Sequence, residues 1–261
     1  MSGTIRVAVL GALGKMGAQT VTAVCADPEL ELLAAVDVGG ARSQMACGSG
    51  IPVLAGVELL DPGEVDVAVD FTNAASAMRN ARWALGGGVH AVIGTTGLGT
   101  SDLEELAGLA ERSDANALVA PNFATGAVLM MRFCQMAARY FDQCEIVELH
   151  HRGKKDAPSG TALATAARVA EAMEAASVPP SQENEVRGTR GGALGPVSIH
   201  SVRLDGLVAH QEVIFGSKGQ TLTIRHDTSD RSCFMPGVLM AVKAVADLPG
   251  LTIGLEPILG L

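Results

Sequence analysis

The stretch IRVAVLGALGKMG, Ile5 to Gly17, decides the fold. Its first six residues are almost all apolar and rich in β-branched side chains, the pattern of a strand buried on both faces. Glycines follow at once at positions 11, 14 and 17, and KMGAQTVTAVCAD then reads as a helix closed by Asp27-Pro28. Glycine at such a strand-to-helix turn lets the backbone bend sharply and approach a pyrophosphate, whose charge meets the open N–H groups of the helix N-terminus. The spacing is G-x-x-G-x-x-G, not the commoner G-x-G-x-x-G. Asp37 ends a second strand, LELLAAVD, about 20 residues on, where a carboxylate can accept hydrogen bonds from an adenosine ribose. A dinucleotide site is therefore expected at Gly11, Ala12, Gly14, Lys15, Met16, Gly17 and Asp37. Asp37 repels a 2′-phosphate, whereas Lys15 and Arg42 attract one, so the choice between NADH and NADPH stays open.

Outward from this turn, VDVAVDFT and VHAVIGTT read as further strands, separated by the helical NAASAMRNARWALGGG. ALVAPNF closes the series after the helix TSDLEELAGLAERS. Apolar strands alternating with helices predict a doubly wound α/β (Rossmann) domain with a parallel sheet. Ligands bind beyond the carboxyl ends of such strands. Phe71 and Thr72, Gly94 with Thr95 and Thr96, and the run Ala120, Pro121, Asn122 and Phe123 should then share one rim and hold the nicotinamide end. The pattern changes after Phe123. A long apolar helix, GAVLMMRFCQMAARYF, precedes the strand CEIVELHH and the helix SGTALATAARVAEAMEAA. A loop over 178–196, polar and glycine-rich, leads to VSIHSVRL, VAHQEVIF and QTLTIRH, read as three antiparallel strands. This half is predicted to be an α+β substrate-binding and oligomerisation domain over 124–233. The dinucleotide domain takes 1–123 together with 234–261, because the apolar helix PGVLMAVKAVADLP should pack back onto it.

Composition narrows the function. A chain of 261 residues, 48% apolar with a net charge of −9, is a folded acidic protein. It lacks the basic face that nucleic-acid binding needs. No run reaches the roughly 18 uncharged apolar residues of a membrane helix, and MSGTIRVAVLGALGKMG does not read as a leader, so a cytoplasmic protein with no membrane partner is expected. The five cysteines are scattered and never form a Cys-x-x-Cys pair, which predicts reduced, mostly buried thiols and no metal site.

Against that acidic background, ELHHRGKKDAPSGTAL, residues 148–163, is a positive island. His150 and His151 end a strand and point to opposite faces. Lys154 and Lys155 add cations, and Ser159, Gly160 and Thr161 open the next helix with hydroxyl and N–H donors for a carboxylate. The island suits a small polyanion.

The run Glu148-x-His150-His151-x-x-Lys154-x-Asp156-Ala157-Pro158-Ser159-Gly160-Thr161-Ala162 resembles the signature of the 4-hydroxy-tetrahydrodipicolinate reductase family. The resemblance spans nearly the whole chain. It takes in Gly11 to Gly17, Asp70-Phe71-Thr72, Gly94 to Gly97, Ala120 to Phe123, IHSVRL, GLVAHQEVIFG and TIRHDTSDRSCF. The closing LTIGLEPIL is similar to the actinobacterial branch. Membership implies an NAD(P)H-dependent oxidoreductase of lysine and diaminopimelate biosynthesis that acts on a cyclic imine with two carboxylates. By the same resemblance His150 is the proton donor and Lys154 binds substrate and stabilises developing charge. His151, Ser159, Gly160 and Thr161 complete the substrate site, and the assembly is a homotetramer built through the second-domain sheet. Two departures stand out: Gly153, where some relatives carry histidine or a polar residue, and Leu13, where some carry lysine.

Two other readings fit some of these residues. One is a reductase of a different small cyclic imine or dicarboxylate. The other is a non-catalytic nicotinamide-sensing protein, against which the joint presence of His150, Lys154 and Thr161 speaks, since a sensor needs no proton donor.

Overall fold

The computed structural model describes residues 3–40, 50–173, 186 and 188–261. Arg42, Cys47, the expected end of the helix beyond residue 173 and most of the loop before residue 188 lie outside the described residues. The chain falls into two compact units, Met1–Ala124 with Phe234–Leu261, and Thr125–Cys233.

Unit 1 begins with strand β1 (Ile5–Leu10), helix α1 (Lys15–Ala26), and strands β2 (Leu30–Val36) and β3 (Val53–Leu54). It continues through β4 (Val67–Asp70), α2 (Ala74–Gly86), β5 (His90–Ile93), α3 (Thr100–Glu111) and β6 (Ala117–Val119). In chain order unit 2 then supplies helix α4 (Thr125–Ala137), strand β7 (Gln143–His150), helix α5 (Gly160–Ala172) and strands β8 (Gly192–Leu194), β9 (Val197–Arg203), β10 (Ala209–Ser217) and β11 (Gln220–Thr228). The chain re-enters unit 1 with α6 (Met235–Ala244), β12 (Leu251–Ile253) and α7 (Glu256–Leu259).

Among the described residues, the sheet of unit 1 has seven strands in the order β12-β6-β5-β4-β1-β2-β3, every pair parallel. This is the doubly wound arrangement expected from the glycine turn, with the strand order reversing at β1. Val7, Val9, Ala68, Val69 and Val92 are almost wholly buried, as strands covered on both faces require. Two short strands, β3 and β12, extend the sheet beyond the sequence reading. Their two- and three-residue runs are too brief to carry a periodic signal. Asn116 fastens the β12 end: its amide donates to the carbonyls of Val245 (3.2 Å) and Ala246 (3.0 Å) and accepts from Gly250 N–H (3.1 Å).

The sheet of unit 2 runs β11-β10-β7-β9-β8 among the described residues. It corrects the expectation of three antiparallel neighbours. β10 pairs antiparallel with both β11 and β7, but β9 lies on the far side of β7 and is parallel to it. Alternation along the chain sets the faces but not the neighbours, because a period of two is the same for either pairing. Part of the expected loop also forms structure: Gly192–Leu194 pairs antiparallel with β9 as an edge strand. Helices α4 and α5 cover one face. Cys144, Ile146, Glu148, Val213 and Phe215 are buried on that side, while Glu145, Val147, Leu149, Glu212 and Ile214 on the other remain half-buried.

Candidate active site

On unit 1 the expected cofactor residues sit at the carboxyl ends of neighbouring strands. Asp37 follows β2, Gly11–Gly17 follow β1, Phe71 and Thr72 follow β4, Gly94–Thr96 follow β5 and Ala120–Phe123 follow β6. Four interstrand steps of about 4.8 Å make a rim roughly 19 Å long, enough for an extended ligand. The glycine turn is closed too tightly for side chains. Gly11 has φ +80°, and a methyl there would lie 2.9 Å from the Phe71 carbonyl oxygen, while one at Gly17 would lie 2.0 Å from that of Gly11. Gly14 caps α1 with no side chain to occupy the first-turn N–H groups, so these are presented to an anion. The turn therefore fits a dinucleotide pyrophosphate.

Asp37 lies over this turn, accepting from Leu13 N–H (3.1 Å) and Gly39 N–H (3.0 Å). Both Asp37 and Arg79 line a cleft of about 200 Å³ with Gly11, Gly14, Thr72 and Asn73. That volume is below the 300–1,000 Å³ of a pocket for a whole small ligand and suits one end of a dinucleotide. Lys15 is exposed on the first turn of α1, Met16 is half-buried beside it, and Ala12 is buried.

The Thr72 and Thr95 hydroxyls, after β4 and β5, are already committed as donors. Asp70, only 3% exposed, accepts from Thr72 N–H (2.8 Å), Thr72 Oγ1 (2.6 Å), Thr95 Oγ1 (3.0 Å) and the Asn80 amide (2.7 Å). Thr72 and Thr95 can therefore offer a ligand lone pairs but not protons. Phe71 packs edge-on against Phe123, with ring centroids 5.7 Å apart. Asn122 accepts from Ala124 N–H (2.9 Å), Ala120 N–H donates to the Ile93 carbonyl (3.0 Å), and Thr96 and Pro121 are exposed.

On unit 2 the positive island folds around a buried carboxylate. Glu148, Ser201 and Gln211 are register partners, as are His150 and Arg203, so strand pairing brings these side chains to one face. Glu148 is fully buried. It accepts from Arg203 Nη1 (2.9 Å) and Nη2 (2.8 Å), from the backbone N–H of Ser159 (3.3 Å), and lies 2.5 Å from His150 Nδ1. Burial raises the Glu148 pKa, but hydrogen bonds from Arg203, Ser201 and His150 outweigh it and hold the carboxyl below its usual range. His150 is held below its usual value by burial, which outweighs the opposing pull of Glu148.

Lys154 donates to both oxygens of Asp156, at 2.9 and 2.8 Å, and that carboxylate is 61% exposed. An exposed ion pair of this kind is worth about 1 kcal/mol or less, so an incoming carboxylate can replace Asp156. Ser159 is buried, and its oxygen caps α5 by accepting from Ala162 N–H (3.2 Å). Gly160 and Thr161 form the first turn, and a methyl placed on Gly160 would meet nothing within 4 Å. His151 is exposed, with its Nδ1 only 3.3 Å from where a Gly153 side chain would begin. The arrangement can seat an anion between a cation whose carboxylate partner is displaceable and a helix start, beside a histidine fixed through one ring nitrogen.

Comparison with known proteins agrees with this construction. The profile described as "Dihydrodipicolinate reductase, N-terminus" matches residues 5–123, and "Dihydrodipicolinate reductase, C-terminus" matches residues 126–259. The chain belongs to the dihydrodipicolinate reductase family. A 4-hydroxy-tetrahydrodipicolinate reductase of Nocardia farcinica is 48% identical over 262 residues, covering 99% of this chain and all of that protein. One from Cutibacterium acnes is 48% identical over 261 residues, covering 98% and 99%. The dipicolinate-bound dihydrodipicolinate reductase of Paenisporosarcina sp. TG-14 is 40% identical with a TM-score of 0.88, covering 97% of this chain and 99% of that structure. The family resemblance and the doubly wound fold expected from the sequence are thereby met. So is the reading as a nicotinamide-dependent reductase.

Within this reductase family fold, the sequence reading left three residues without a role. Glu148 was part of the signature, yet its burial is signalled only by its place two residues before His150 on the same strand face. Arg203 is too distant in sequence to be paired with it by inspection. Asp70 stands beside the expected Phe71 and Thr72, and the signal for it is a carboxylate ending an otherwise apolar buried strand.

Proposed function

We propose that the chain reduces 4-hydroxy-tetrahydrodipicolinate to tetrahydrodipicolinate with NADH or NADPH and the loss of one water, within lysine and diaminopimelate biosynthesis. The observation that carries this reading is the His150–Lys154–Gly160 cluster around buried Glu148, in a chain that aligns with reductases of that name along its whole length. The Paenisporosarcina relative, described with dipicolinate bound, supports a planar ring dicarboxylate as the ligand class.

In this reading the dinucleotide lies along the unit 1 rim, with the ribose at Asp37, the pyrophosphate over Gly11–Gly17 and the nicotinamide end at Phe71–Thr72, Gly94–Thr96 and Ala120–Phe123. When bound, the nicotinamide supplies a hydride. The chain supplies the rest. Lys154 leaves Asp156 for a substrate carboxylate, Gly160 and Thr161 present the helix start to a carboxylate, and His151 adds to the seat. His150 delivers the proton that balances the hydride. A dianion beside His150 raises its pKa, which brings the imidazolium within reach near neutrality.

A homotetramer and a cytoplasmic location belong to the same proposal. The half-buried side of the unit 2 sheet carries Val147, Leu149 and Ile214. This supports an oligomer formed through that face. Sedimentation of the purified protein tests it, and a monomer at working concentration removes it.

The activity is tested by following nicotinamide absorbance with purified protein. NADH and NADPH are run separately against substrate generated in place from pyruvate and aspartate semialdehyde by the preceding synthase. Oxidation that requires both proteins supports the reading and ranks the cofactors. No oxidation with either cofactor, while pyridine-2,6-dicarboxylate still binds, leaves a dianion site and gives up this substrate.

A further inference from the structure

The Glu148–Arg203 pair is more than a buried ion pair near the site. Arg203 spends its fork on fixed acceptors: Nη1 on Glu148 (2.9 Å) and the Val202 carbonyl (2.8 Å), Nη2 on Glu148 (2.8 Å) and the Asp156 carbonyl (2.7 Å). Four of its five N–H groups are therefore unavailable to a substrate carboxylate, and Arg203 acts on Glu148. Glu148, kept ionised in this setting, can only accept hydrogen bonds. A ring nitrogen 2.5 Å from it must carry a proton.

We propose that Glu148, fixed by Arg203, is the positioning residue that holds His150 as the Nδ1–H tautomer and so makes Nε2 the atom that releases the proton in catalysis. The inference rests on the reading of His150 as proton donor. In the step, the Nε2–H bond of the imidazolium breaks and its electron pair stays on Nε2. With the hydride from the reduced nicotinamide, that proton completes the exchange of the substrate's C–O bond for a C–H bond, the oxygen leaving as water, and the ring is left as the neutral tautomer that Glu148 already holds. No rearrangement of the ring accompanies the transfer.

The charged and titratable groups facing His150 are Glu148 on its own strand, Arg203 on β9 and Lys154 in the following turn, with Asp156 neutralising Lys154. β10 presents Ala209 opposite His150, and α5 presents the N–H of Ser159 to Glu148. Only Glu148 favours the charged ring.

Glu148→Gln separates this role from simple structural support. An amide has one acceptor oxygen for the places of two. The Ser201 hydroxyl, which also bonds Glu148, can turn to donate or accept and suits either placement. With its NH₂ in the position of Oε2, the amide meets one N–H donor, Arg203 Nη1, and donates to His150 Nδ1. With NH₂ in the position of Oε1, it meets two, Arg203 Nη2 and the Ser159 N–H. The first placement is favoured, and it forces His150 into the Nε2–H tautomer.

The experiment is ¹⁵N NMR of the histidine rings in the full chain, with His150 assigned by the signal lost in His150→Gln, alongside pH–rate profiles. Wild type is expected to show Nδ1–H, and Glu148→Gln to show Nε2–H. The variant's kcat should fall about 10- to 100-fold, within the share a general acid contributes. Its KM for the nicotinamide should stay within about twofold, and the acid–base profile should move to lower pH as the carboxylate charge is lost. An Nε2–H tautomer in wild type overturns the proposal, even where the variant fails to fold. An unchanged tautomer or an unshifted profile in a folded Glu148→Gln overturns it equally. The tautomer is read without substrate, so absence of activity in wild type refutes the proposed reaction and leaves the tautomer result standing.

Discussion

Replacing Asp70 by alanine should unbalance the rim of unit 1 far more than replacing it by asparagine. Asp70 gathers four hydrogen bonds, three on Oδ1 from Thr72 and Thr95 and one on Oδ2 from Asn80. Asn80 and Thr95 are each 6% exposed, so alanine leaves two buried donors to find new partners. At about 1–3 kcal/mol for each unsatisfied buried group, with the Thr95 hydroxyl able to rotate, the loss is about 2–5 kcal/mol. A chain of this size loses about 2–4 °C in Tm per kcal/mol, which gives a fall of about 4–20 °C. Asparagine keeps an oxygen in the Oδ1 position, and the Asn80 amide can turn over to offer its own oxygen to the new NH₂. That variant should lose only about 1 kcal/mol, the value of exchanging charged for neutral hydrogen bonds. Thermal unfolding followed by circular dichroism, with and without NADH, checks both. Because Thr72 and Thr95 line the proposed nicotinamide end, Asp70→Ala should also weaken the stabilisation that NADH confers. Equal melting temperatures for the two variants, or an alanine variant within about 1 °C of wild type, would refute the hydrogen-bond reasoning.

Asp156→Asn should tighten binding of pyridine-2,6-dicarboxylate by about two- to fivefold in calorimetry, the worth of an exposed pair that no longer competes for Lys154; weaker binding would mean Lys154 is not the cation that meets the ligand. His90 accepts a hydrogen bond from Asn116 N–H at Nδ1 (2.9 Å), and burial holds its pKa below the usual value. A depressed histidine contributes stability that is full above its unfolded pKa of about 6.5 and is lost as pH falls through the folded value. His90→Asn, which keeps an acceptor and removes the titration, should flatten part of the Tm decline below neutrality, and an identical slope would exclude His90. Burial pushes the Cys134 and Cys144 thiols up to about 12, whereas Cys25 is exposed. Maleimide labelling of the native protein followed by peptide mapping should therefore modify Cys25 and spare the other two until denaturation; early labelling of Cys134 would contradict the packing of α4.

The parallel domain was legible because strands buried on both faces and a glycine turn are local signals: Ile5–Leu10 and Gly11–Gly17 declare themselves without reference to distant residues. Partnerships across the sequence were not. VSIHSVRL reads as a strand whichever neighbour it takes, and only the fold puts β9 parallel to β7 and brings Arg203 to Glu148. The same limit applied at the rim. Thr72 and Thr95 were visible as hydroxyls at strand ends, but that both donate to Asp70 depends on β4 and β5 lying side by side. Ser159 was read as a donor to a ligand; its oxygen also caps α5 by accepting from Ala162 N–H, a contact that occupies a lone pair and not the hydroxyl proton.

The chain leaves unit 1 and returns to it at one point, for a methyl on Gly237 would lie 2.1 Å from the Phe123 carbonyl oxygen. This arrangement imposes an order on biosynthesis. As the polypeptide emerges from the ribosome, the nucleotide-binding half lacks β12 and α6 until the whole of unit 2 has been made. Closing an unstructured insert of roughly 110 residues would cost about 4 kcal/mol of chain entropy, whereas an insert already folded with its ends together carries little of that cost. Unit 2 is thus the part to mature first, and β6 waits as an open sheet edge, exposed to chaperones and to aggregation, until residues 251–253 arrive.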